Sequence, residues 1–599
     1  MAARKIFAGG EFLVTDAGAK DVFILEEMTR EHKMIYAAAF DFVKKEIRPN
    51  MERINEKNEE LSRSLIKKAG DLGLNATDIP EEYGGEEMDK ISTCLVTDAI
   101  GGAASFSVSH SAHTGIGTLP IVYFGTEAQK KKYLPKLGTG EWLAAYCLTE
   151  SGAGSDALNA QTTATLADDG RHYLLNGEKV FITNGAWADL FIVYAKVDGE
   201  KFTGFIVERS FPGVSSGPEE KKLGIEGSST TSVIFKDCMV PVENVPVENV
   251  LFEIGKGHKI AFNVLNIGRY KLGAGVIGGC KVIIAEATQY ATTREQFGKK
   301  IASFGMIRNK LADMCINIFM AESLTYRLAA MIEDKLSSLD PQARKEGAEN
   351  AKAIEEYAVE CSIAKVYGSE CLDFCADEVV QIFGGYGYIA EYPAEGIYRD
   401  ARINRIFEGT NEINRLLIAG TVLKRAVQGR LALFDAVQAV EEEVKAGVPD
   451  TPGFDDAPLA AQQHQVKMSK KILLLTLGKA AGNLLADLAE EQEVLAFLAD
   501  MITEIFAMES GLLRALKMID KKGEKRAEYH TAAVQVYIND AIPKIVHWSR
   551  QVLTFVEKGD DLVALLAAVD KLAAYQPVGT VNLRRRIAEK VIKSKRYIF

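Results

Sequence analysis

The sequence predicts a mainly α-helical protein with a small β-domain at its centre and a further helical block at its C-terminus. Three observations carry that prediction. Charged and apolar residues recur at three-to-four spacing from about Glu26 to Gly140, as in EHKMIYAAAFDFVKKEI. From about Gln161 the period shortens to β-rich runs divided by turn residues: QTTATL, YLLNGEKVFIT, LFIVYAKVDGEKFTGFIVER and TSVIFKDCMVP. From about Gly257 to Ile418 the helical period returns with few prolines, in segments long enough for an up-and-down bundle.

Within this frame Asn176-Gly177 is expected to make a two-residue hairpin turn, and Asp198-Gly199 a second. After the bundle, VKAGVPDTPGFDDAPLAAQQ carries Pro449, Pro452 and Pro458 and reads as a linker to the last block. The expected division is residues 1–145 N-terminal helical, 146–255 central β, 256–425 helical bundle, 426–460 linker and 461–599 C-terminal helical. In the last block KKILLLTLGKAAGNLLADL is too short an apolar run to span a bilayer and is expected as a buried helix. The tail NLRRRIAEKVIKSKRYIF sets Leu583, Ile587 and Val591 at four-residue spacing, with Arg584, Arg585, Arg586, Lys590, Lys593, Lys595 and Arg596 against the single acid Glu589. It reads as a last helix docked on its own domain, with peripheral contact to an anionic membrane surface or partner as the alternative.

Composition excludes several classes. With 71 Lys+Arg against 82 Asp+Glu in 599 residues, the net charge of −11 argues against a nucleic-acid binder. The N-terminus has no apolar h-region, so a cytoplasmic protein is expected. The eight cysteines (Cys94, Cys147, Cys238, Cys280, Cys315, Cys361, Cys371, Cys375) are dispersed through apolar patterns and read as reduced core thiols rather than bridges or ligands. No HExxH, CxxC pair or histidine cluster appears, and no metal is expected. Gly273, Gly275 and Gly278 satisfy GxGxxG, but they lie inside a helical run with no strand before them, so they are expected to let neighbouring helices approach rather than to hold a pyrophosphate.

Three segments combine free backbone with polar side chains between apolar stretches. In YCLTESGAGSDA, Gly152 and Gly154 loosen the chain while Thr149 and Ser155 offer hydroxyls. In FITNG, strand alternation puts Phe181 and Thr183 on one face, away from Ile182. In RIFEGTNEI, Glu408 sits between Phe407 and Gly409 in a break between helical runs, a candidate base.

These segments, with ATTREQFGKKIASFGMIRNKLADM read as helix and QIFGGYGYIAEYP, occur in the order and spacing that resemble the acyl-CoA dehydrogenases, especially the very-long-chain members, over residues from about 30 to 420. EVLAFLADMITEIFAMESGLLRAL resembles more faintly the extra C-terminal helical domain of the long members. The resemblance implies an N-terminal helical domain, a β-barrel domain and a four-helix bundle, with FAD bound where they meet and partly across a subunit interface, in a homodimer. It implies that Tyr146, Cys147, Leu148, Thr149 and Ser155 line the flavin and that Phe181, Ile182 and Thr183 cover it. Arg294 would pair with the pyrophosphate beside Phe297, and Gln381, Gly384 and Gly385 would reach the adenine half in the neighbouring subunit. Thr410 and Glu412 would bind FAD near the catalytic loop. Asn266 and Arg269, with Gly409 and Ser155, would hold the acyl-CoA.

The implied reaction is α,β-dehydrogenation of an acyl-CoA to trans-2-enoyl-CoA in fatty-acid β-oxidation, with electrons passed to an electron-transfer flavoprotein. An α-proton needs a base and a β-hydride needs an acceptor, so carboxylate and flavin divide the labour. Glu408 is the expected base. Some relatives carry the base at the position of Gly268, which here has no side chain to ionise. The small residues of ASFSVSHSAHTGIGTLP, including Ala112, imply a deep pocket for long chains. The rival readings are an acyl-CoA oxidase that uses oxygen and a flavoprotein assembly or scaffold factor.

Overall fold

Polar side chains that accept orphan N–H groups start several of the N-terminal helices. The computed structural model describes residues 4–242, 248–450, 453–454 and 457–599; Pro452 lies outside them. In α1 (Arg30–Phe42) the cap is Thr29 on the His32 N–H. α2 (Met51–Asn55) is one short turn, α3 (Glu59–Asp71) starts with Asn58 accepting from Leu61, and α4 (Lys90–Gly101) with Asp89 accepting from Ile91 and Ser92. α5 (Ala104–Ala112), α6 (Leu119–Phe124) and α7 (Glu127–Gly138), the last capped by Thr126, complete the block.

The central strands are β1 (Ala144–Cys147), β2 (Thr163–Leu166), β3 (His172–Thr183), β4 (Leu190–Val197), β5 (Lys201–Glu208), β6 (Val214–Ser216), β7 (Thr230–Pro241) and β8 (Val250–Leu251). They pair in the order β6-β7-β3-β2-β4-β5-β8, with β1 running parallel beside β4 so that Tyr146 faces Ile192. Their inner face is packed with Cys147, Phe191, Val193, Phe205, Val207, Val233 and Phe235. The expected turn at Asp198-Gly199 joins β4 to β5, both residues taking positive φ (55° and 77°).

Asn176-Gly177 corrects the sequence reading. Both residues lie inside β3, Asn176 opposite Thr163, and the β2–β3 hairpin turns earlier, between Leu166 and His172. The pairing with β7 slips between Leu175 and Gly177, a bulge. The Asn176 side chain donates to Asp237 Oδ1 (3.1 Å) and accepts the Asp237 N–H (2.8 Å), and a Cβ on Gly177 would stand 2.4 Å from Thr162 Oγ1. Bulge and hairpin turn demand the same pair of residues, so composition alone does not separate them.

The long α8 (Gly257–Thr293) is the axis of the bundle, and its glycines act as expected for helix approach. A Cβ on Gly278 would lie 1.8 Å from the Asp98 carbonyl of α4, and one on Gly101 would lie 1.9 Å from the Gly275 carbonyl. The chain then leaves the helix at Arg294 for a small hairpin, β9 (Glu295–Gln296) and β10 (Lys299–Lys300), with Phe297 (φ 53°) and Gly298 (φ 73°) at its tip. The segment TREQFGKK was expected to be helical; the paired positive φ of Phe-Gly makes it a turn. α9 (Gly305–Ser337), α10 (Gly347–Glu355), α11 (Ala358–Phe383), α12 (Pro393–Ala401) and α13 (Asn411–Val427) follow.

The stretch expected as linker is partly structured. α14 (Leu433–Ala446) buries Leu433, Val437 and Val440, because apolar residues at i, i+4 and i+7 need a neighbour, found in α15 (Ala460–Leu484). α16 (Gln492–Lys522), α17 (Glu528–Val556), α18 (Gly559–Leu572) and α19 (Thr580–Ser594) complete the chain. The run Ile472–Leu477 of α15 is buried, and among the described residues no helix is long and apolar enough to cross a membrane. α19 buries Ile587, Ala588 and Val591, and Arg584 pairs with Asp313 of α9 at 2.6 Å, so the basic tail helix docks on the protein, with Arg585, Arg586, Lys590, Lys593, Lys595 and Arg596 left facing solvent. Charges join this block to the rest: Arg514 of α16 lies 2.8 Å from Glu26 and 2.7 Å from Glu322, and Arg327 lies 2.8 Å from Glu509.

Candidate active site

Between the β-domain, α8 and the start of α13 lies a cavity of about 1990 Å³. That is larger than the roughly 300–1,000 Å³ of a single-ligand cleft and leaves room for two sizeable ligands. Its lining includes Tyr146, Leu148, Thr149, Ser155, Phe181, Ile182, Thr183, Asn266, Arg269, Glu408, Gly409 and Thr410, so twelve of the residues singled out in the sequence converge there.

Glu408 lies in the break before α13, whose N-cap is Thr410 on the Ile413 N–H. Its backbone is left-handed (φ 58°), followed by Gly409 at φ 82°. A non-glycine residue in that region costs about 1–3 kcal/mol and persists where its surroundings hold it. Here the carbonyls are held. Asn414 Nδ2 donates to the oxygens of Gly409 (2.8 Å) and Thr410 (3.0 Å), Lys365 Nζ to Gly409 O (2.8 Å), and Arg269 Nε to Glu408 O (3.3 Å). Lys365 also donates to Asn411 Oδ1 (2.6 Å). The carboxyl itself is left free: Oε2 is buried with no hydrogen-bond partner. Burial pushes its pKa up to about 7, against the offsetting fields of Arg269 and Lys365. Burial likewise draws the Lys365 ammonium down to about 7 despite the Glu408 carboxylate.

Arg269 and Asn266 are one unit on α8: Nη1 donates to Asn266 Oδ1 at 2.8 Å, and both side chains are buried. Gly268 between them sits against the Glu408 carboxyl; a Cβ there would stand 2.6 Å from Glu408 Oε2.

The YCLTESGAGSDA loop is anchored by a buried pair. Lys179 Nζ lies 2.7 Å from Glu150, which also accepts the Thr162 N–H (3.0 Å). Those donors, Lys179 foremost among them, overcome the burial that would raise the Glu150 pKa and hold it at about 2. Along β1 the alternation places Tyr146 and Leu148 on the cavity and Cys147 in the β-core, so Cys147 can offer only backbone to a ligand. Phe181 is 67% exposed with φ 58° and stands on the cavity wall, while Ile182 is buried behind it. The Tyr146 hydroxyl and Arg402 Nη1, both in the lining, are buried without protein partners.

The remaining expected residues lie away from this cavity. Arg294 stacks over the Tyr386 ring (5.2 Å to its centre), Phe297 at the hairpin tip is 92% exposed, and Gln381, Gly384 and Gly385 are exposed at the end of α11. Together they form a second patch on the surface. Glu412 is exposed in the first turn of α13, its carboxyl lowered chiefly by its own backbone N–H. Sequence reasoning missed Lys365, Asn411 and Asn414, which fix the Glu408 loop; the one signal for them was a lysine inside the apolar run SIAKVYG.

Fold and site together define an enzyme with a two-ligand cleft between a helical bundle and a β-domain, served by a buried carboxylate of raised proton affinity. Domain models described as acyl-CoA dehydrogenase match the chain at residues 29–141 (N-terminal), 145–238 (middle), 255–423 and 468–571 (both C-terminal). A "Probable acyl-CoA dehydrogenase" of Bacillus subtilis is 46% identical over 595 residues, 99% of each chain. The human mitochondrial very long-chain specific acyl-CoA dehydrogenase is 38% identical over 432 residues, 70% of this chain and 62% of its own length. The crystal structure of an acyl-CoA dehydrogenase complexed with FAD from Bacillus anthracis superimposes with a TM-score of 0.96 at 47% identity, covering 99% of this chain and 100% of its own. The chain belongs to the acyl-CoA dehydrogenase family.

Proposed function

We propose that the protein is a FAD-dependent acyl-CoA dehydrogenase that forms the trans-2-enoyl thioester of long acyl chains in β-oxidation, with Glu408 as the α-proton base. The observation that carries the reading is the free, buried Glu408 Oε2 on the wall of a cavity sized for cofactor and substrate together.

The residues present fit the cofactor. Phe181 offers an exposed ring face, Thr149, Ser155 and Thr183 offer hydroxyls, and the unpartnered Tyr146 hydroxyl and Arg402 Nη1 lack acceptors or donors that a polar ligand would supply. When bound, FAD supplies the acceptor for the β-hydride. All other steps belong to the chain. Asn266 and Arg269, buried and mutually bonded, orient the CoA ester from α8. Glu408 takes the α-proton onto Oε2, with its carboxyl poised near neutral pH by burial. The Glu408 N–H donates to no protein group among the described residues and is available to the thioester oxygen as negative charge grows on it, a contribution of a few kcal/mol. The clamped carbonyls of residues 408–410 keep that N–H and the carboxyl in fixed relation.

Arg294, Phe297, Gln381, Gly384 and Gly385 lie outside their own cavity, which supports a homodimer in which they reach the partner's FAD. The electron acceptor in this reading is an electron-transfer flavoprotein. Ser107, Ser111, Ala112 and Gly115 line the cavity with little bulk, which supports long chains.

The test is flavin reduction under argon by acyl-CoAs of graded length. Bleaching that grows with chain length supports the reading; no bleaching by any acyl-CoA overturns it, and fast peroxide formation on admitting oxygen would point to an oxidase.

A further inference from the structure

Outside the active site the described residues include a cluster that the spacing of the cysteines does not reveal. Cys280 on α8 and Cys371 and Cys375, one turn apart on α11, bring their sulfurs within 4.8 Å of one another. All three side chains are buried, at 1%, 6% and 0% exposure. The dispersed cysteines of the sequence thus include a triad formed by the packing of two helices.

We propose that Cys280, Cys371 and Cys375 form a binding site for a trivalent thiophilic ion, of which arsenite is the type, held as a neutral tris-thiolate between α8 and α11.

Geometry allows three sulfurs on one centre. Bonds of about 2.3 Å to a pyramidal trivalent centre, whose lone pair closes the sulfur–arsenic–sulfur angles to about 95–100°, set sulfur–sulfur edges of about 3.4 Å. The present spacing reaches that by small side-chain rotations, and residues 371 and 375 share one helix face. Charge decides which ion. Burial and the other two thiols are the main influences on each sulfur, and the charged group acting on Cys280 is the carboxylate of Asp98. Three thiolates on a monovalent or divalent ion would leave net negative charge in that interior, which is costly. On a trivalent centre the charges cancel. The exchange balances without any oxidant: three S–H bonds and three As–O bonds break, three As–S bonds form, and the hydroxyls of arsenous acid leave with the thiol protons as three waters.

The approach is from the active-site cavity. Gly279 and Leu372, the chain neighbours of Cys280 and Cys371, both line it, and they touch: a Cβ on Gly279 would lie 3.3 Å from Leu372 Cδ1. The triad therefore stands one residue layer behind the cavity wall, where a small neutral acid can enter and a hydrated cation is disfavoured.

The experiment incubates the FAD-loaded protein with sodium arsenite, desalts it and measures bound arsenic together with its X-ray absorption. One arsenic per chain with three sulfur neighbours is expected. Cys280→Ser and Cys371→Ser should each weaken retention by about tenfold or more, while Cys238→Ser, a thiol of the β-core, should retain arsenic as the parent does. Absence of retained arsenic in the parent protein overturns the proposal. So does an absorption spectrum showing oxygen neighbours or two sulfurs, a readout that holds even where a serine variant folds poorly. Undiminished retention in both serine variants overturns it as well.

Discussion

Gly268 and Glu408 occupy one place from two sides: a Cβ on the glycine would stand 2.6 Å from Glu408 Oε2 and 2.8 Å from Cδ. The helix that carries Asn266 and Arg269, proposed above to orient the substrate, therefore also forms the floor under the Glu408 carboxyl, and any side chain at 268 must move it. Gly268→Ala is expected to lower kcat by about a hundredfold, the scale for a misplacement of about 1 Å, while FAD stays bound. Unchanged kcat in this variant would show that the carboxyl moves freely and that its present position is not the working one.

Removing the Glu408 carboxylate is the direct test of its proposed role as base. Glu408→Gln keeps size and polarity and should leave FAD and acyl-CoA binding intact while slowing flavin bleaching by about 10²–10⁴-fold. Stopped-flow reduction under argon measures this, and near-normal bleaching would remove Glu408 from the mechanism.

The raised pKa of Glu408 has two consequences of known sign. The carboxyl titrates at about 7 in the folded protein against 4.5 unfolded, so the folded state holds its proton more tightly between those values. Its contribution to stability is complete below pH 4.5 and is lost as pH rises to about 7; the difference corresponds to roughly 3 kcal/mol. Glu408→Gln should therefore be more stable than the parent at pH 8 and equal to it near pH 4. In the proposed reaction the ionised form takes the α-proton, so the rate of flavin reduction should climb with pH through about 7 and then level. Lys365 and Arg269 face the same carboxyl, and replacing Lys365 with Met should push the rise to higher pH by removing a positive neighbour. A flat rate profile from pH 6 to 8 would sink this account.

The order of elements, and the short motifs whose residues line the cavity, were legible in the sequence because each rests on local pattern. The change of period marked the β-domain, and Tyr146, Phe181 and Glu408 sit in short motifs at element boundaries. What escaped depends on distant partners. Asn176-Gly177 is a bulge rather than a turn because Thr162 and Asp237 pack on it, and no local feature distinguishes the two. Lys365 and Asn414 look like ordinary helix residues until the loop they hold is folded against them. The helix at 433–446 was hidden by the prolines that follow it. The cysteine triad needs the register of α8 against α11, which a single sequence does not display.

The C-terminal block is tied to the catalytic domains by buried charge. Arg514 meets Glu26 and Glu322, and Tyr597 donates to Glu322 at 2.8 Å. Burial alone would raise the Glu26 carboxyl; Arg514 and His530 instead hold it well below the usual range. Arg514→Met takes one cation from two carboxylates that keep other partners, Lys281 and Tyr597 for Glu322 and His530 for Glu26, and should cost about 3 kcal/mol, the low end for breaking a buried pair from one side. Urea unfolding measures it, and a cost below about 1 kcal/mol would show that the network adds little to the docking.

Chain-length preference is expected to depend on the side chains of α5. Ala112 and Ser107 line the cavity, and their small size leaves depth beyond the reacting carbons. Ala112→Phe should fill part of that depth. If the long acyl chain lies there, the variant loses turnover with long thioesters while retaining it with short ones, because the added ring displaces only the distal methylenes, each worth about 0.8 kcal/mol of burial. The measurement is kcat/KM across a series of saturated acyl-CoAs for parent and variant. A uniform loss at every length would mean that residue 112 acts on the packing of α5 and not on the chain, and an unchanged series would place the acyl tail elsewhere in the cavity.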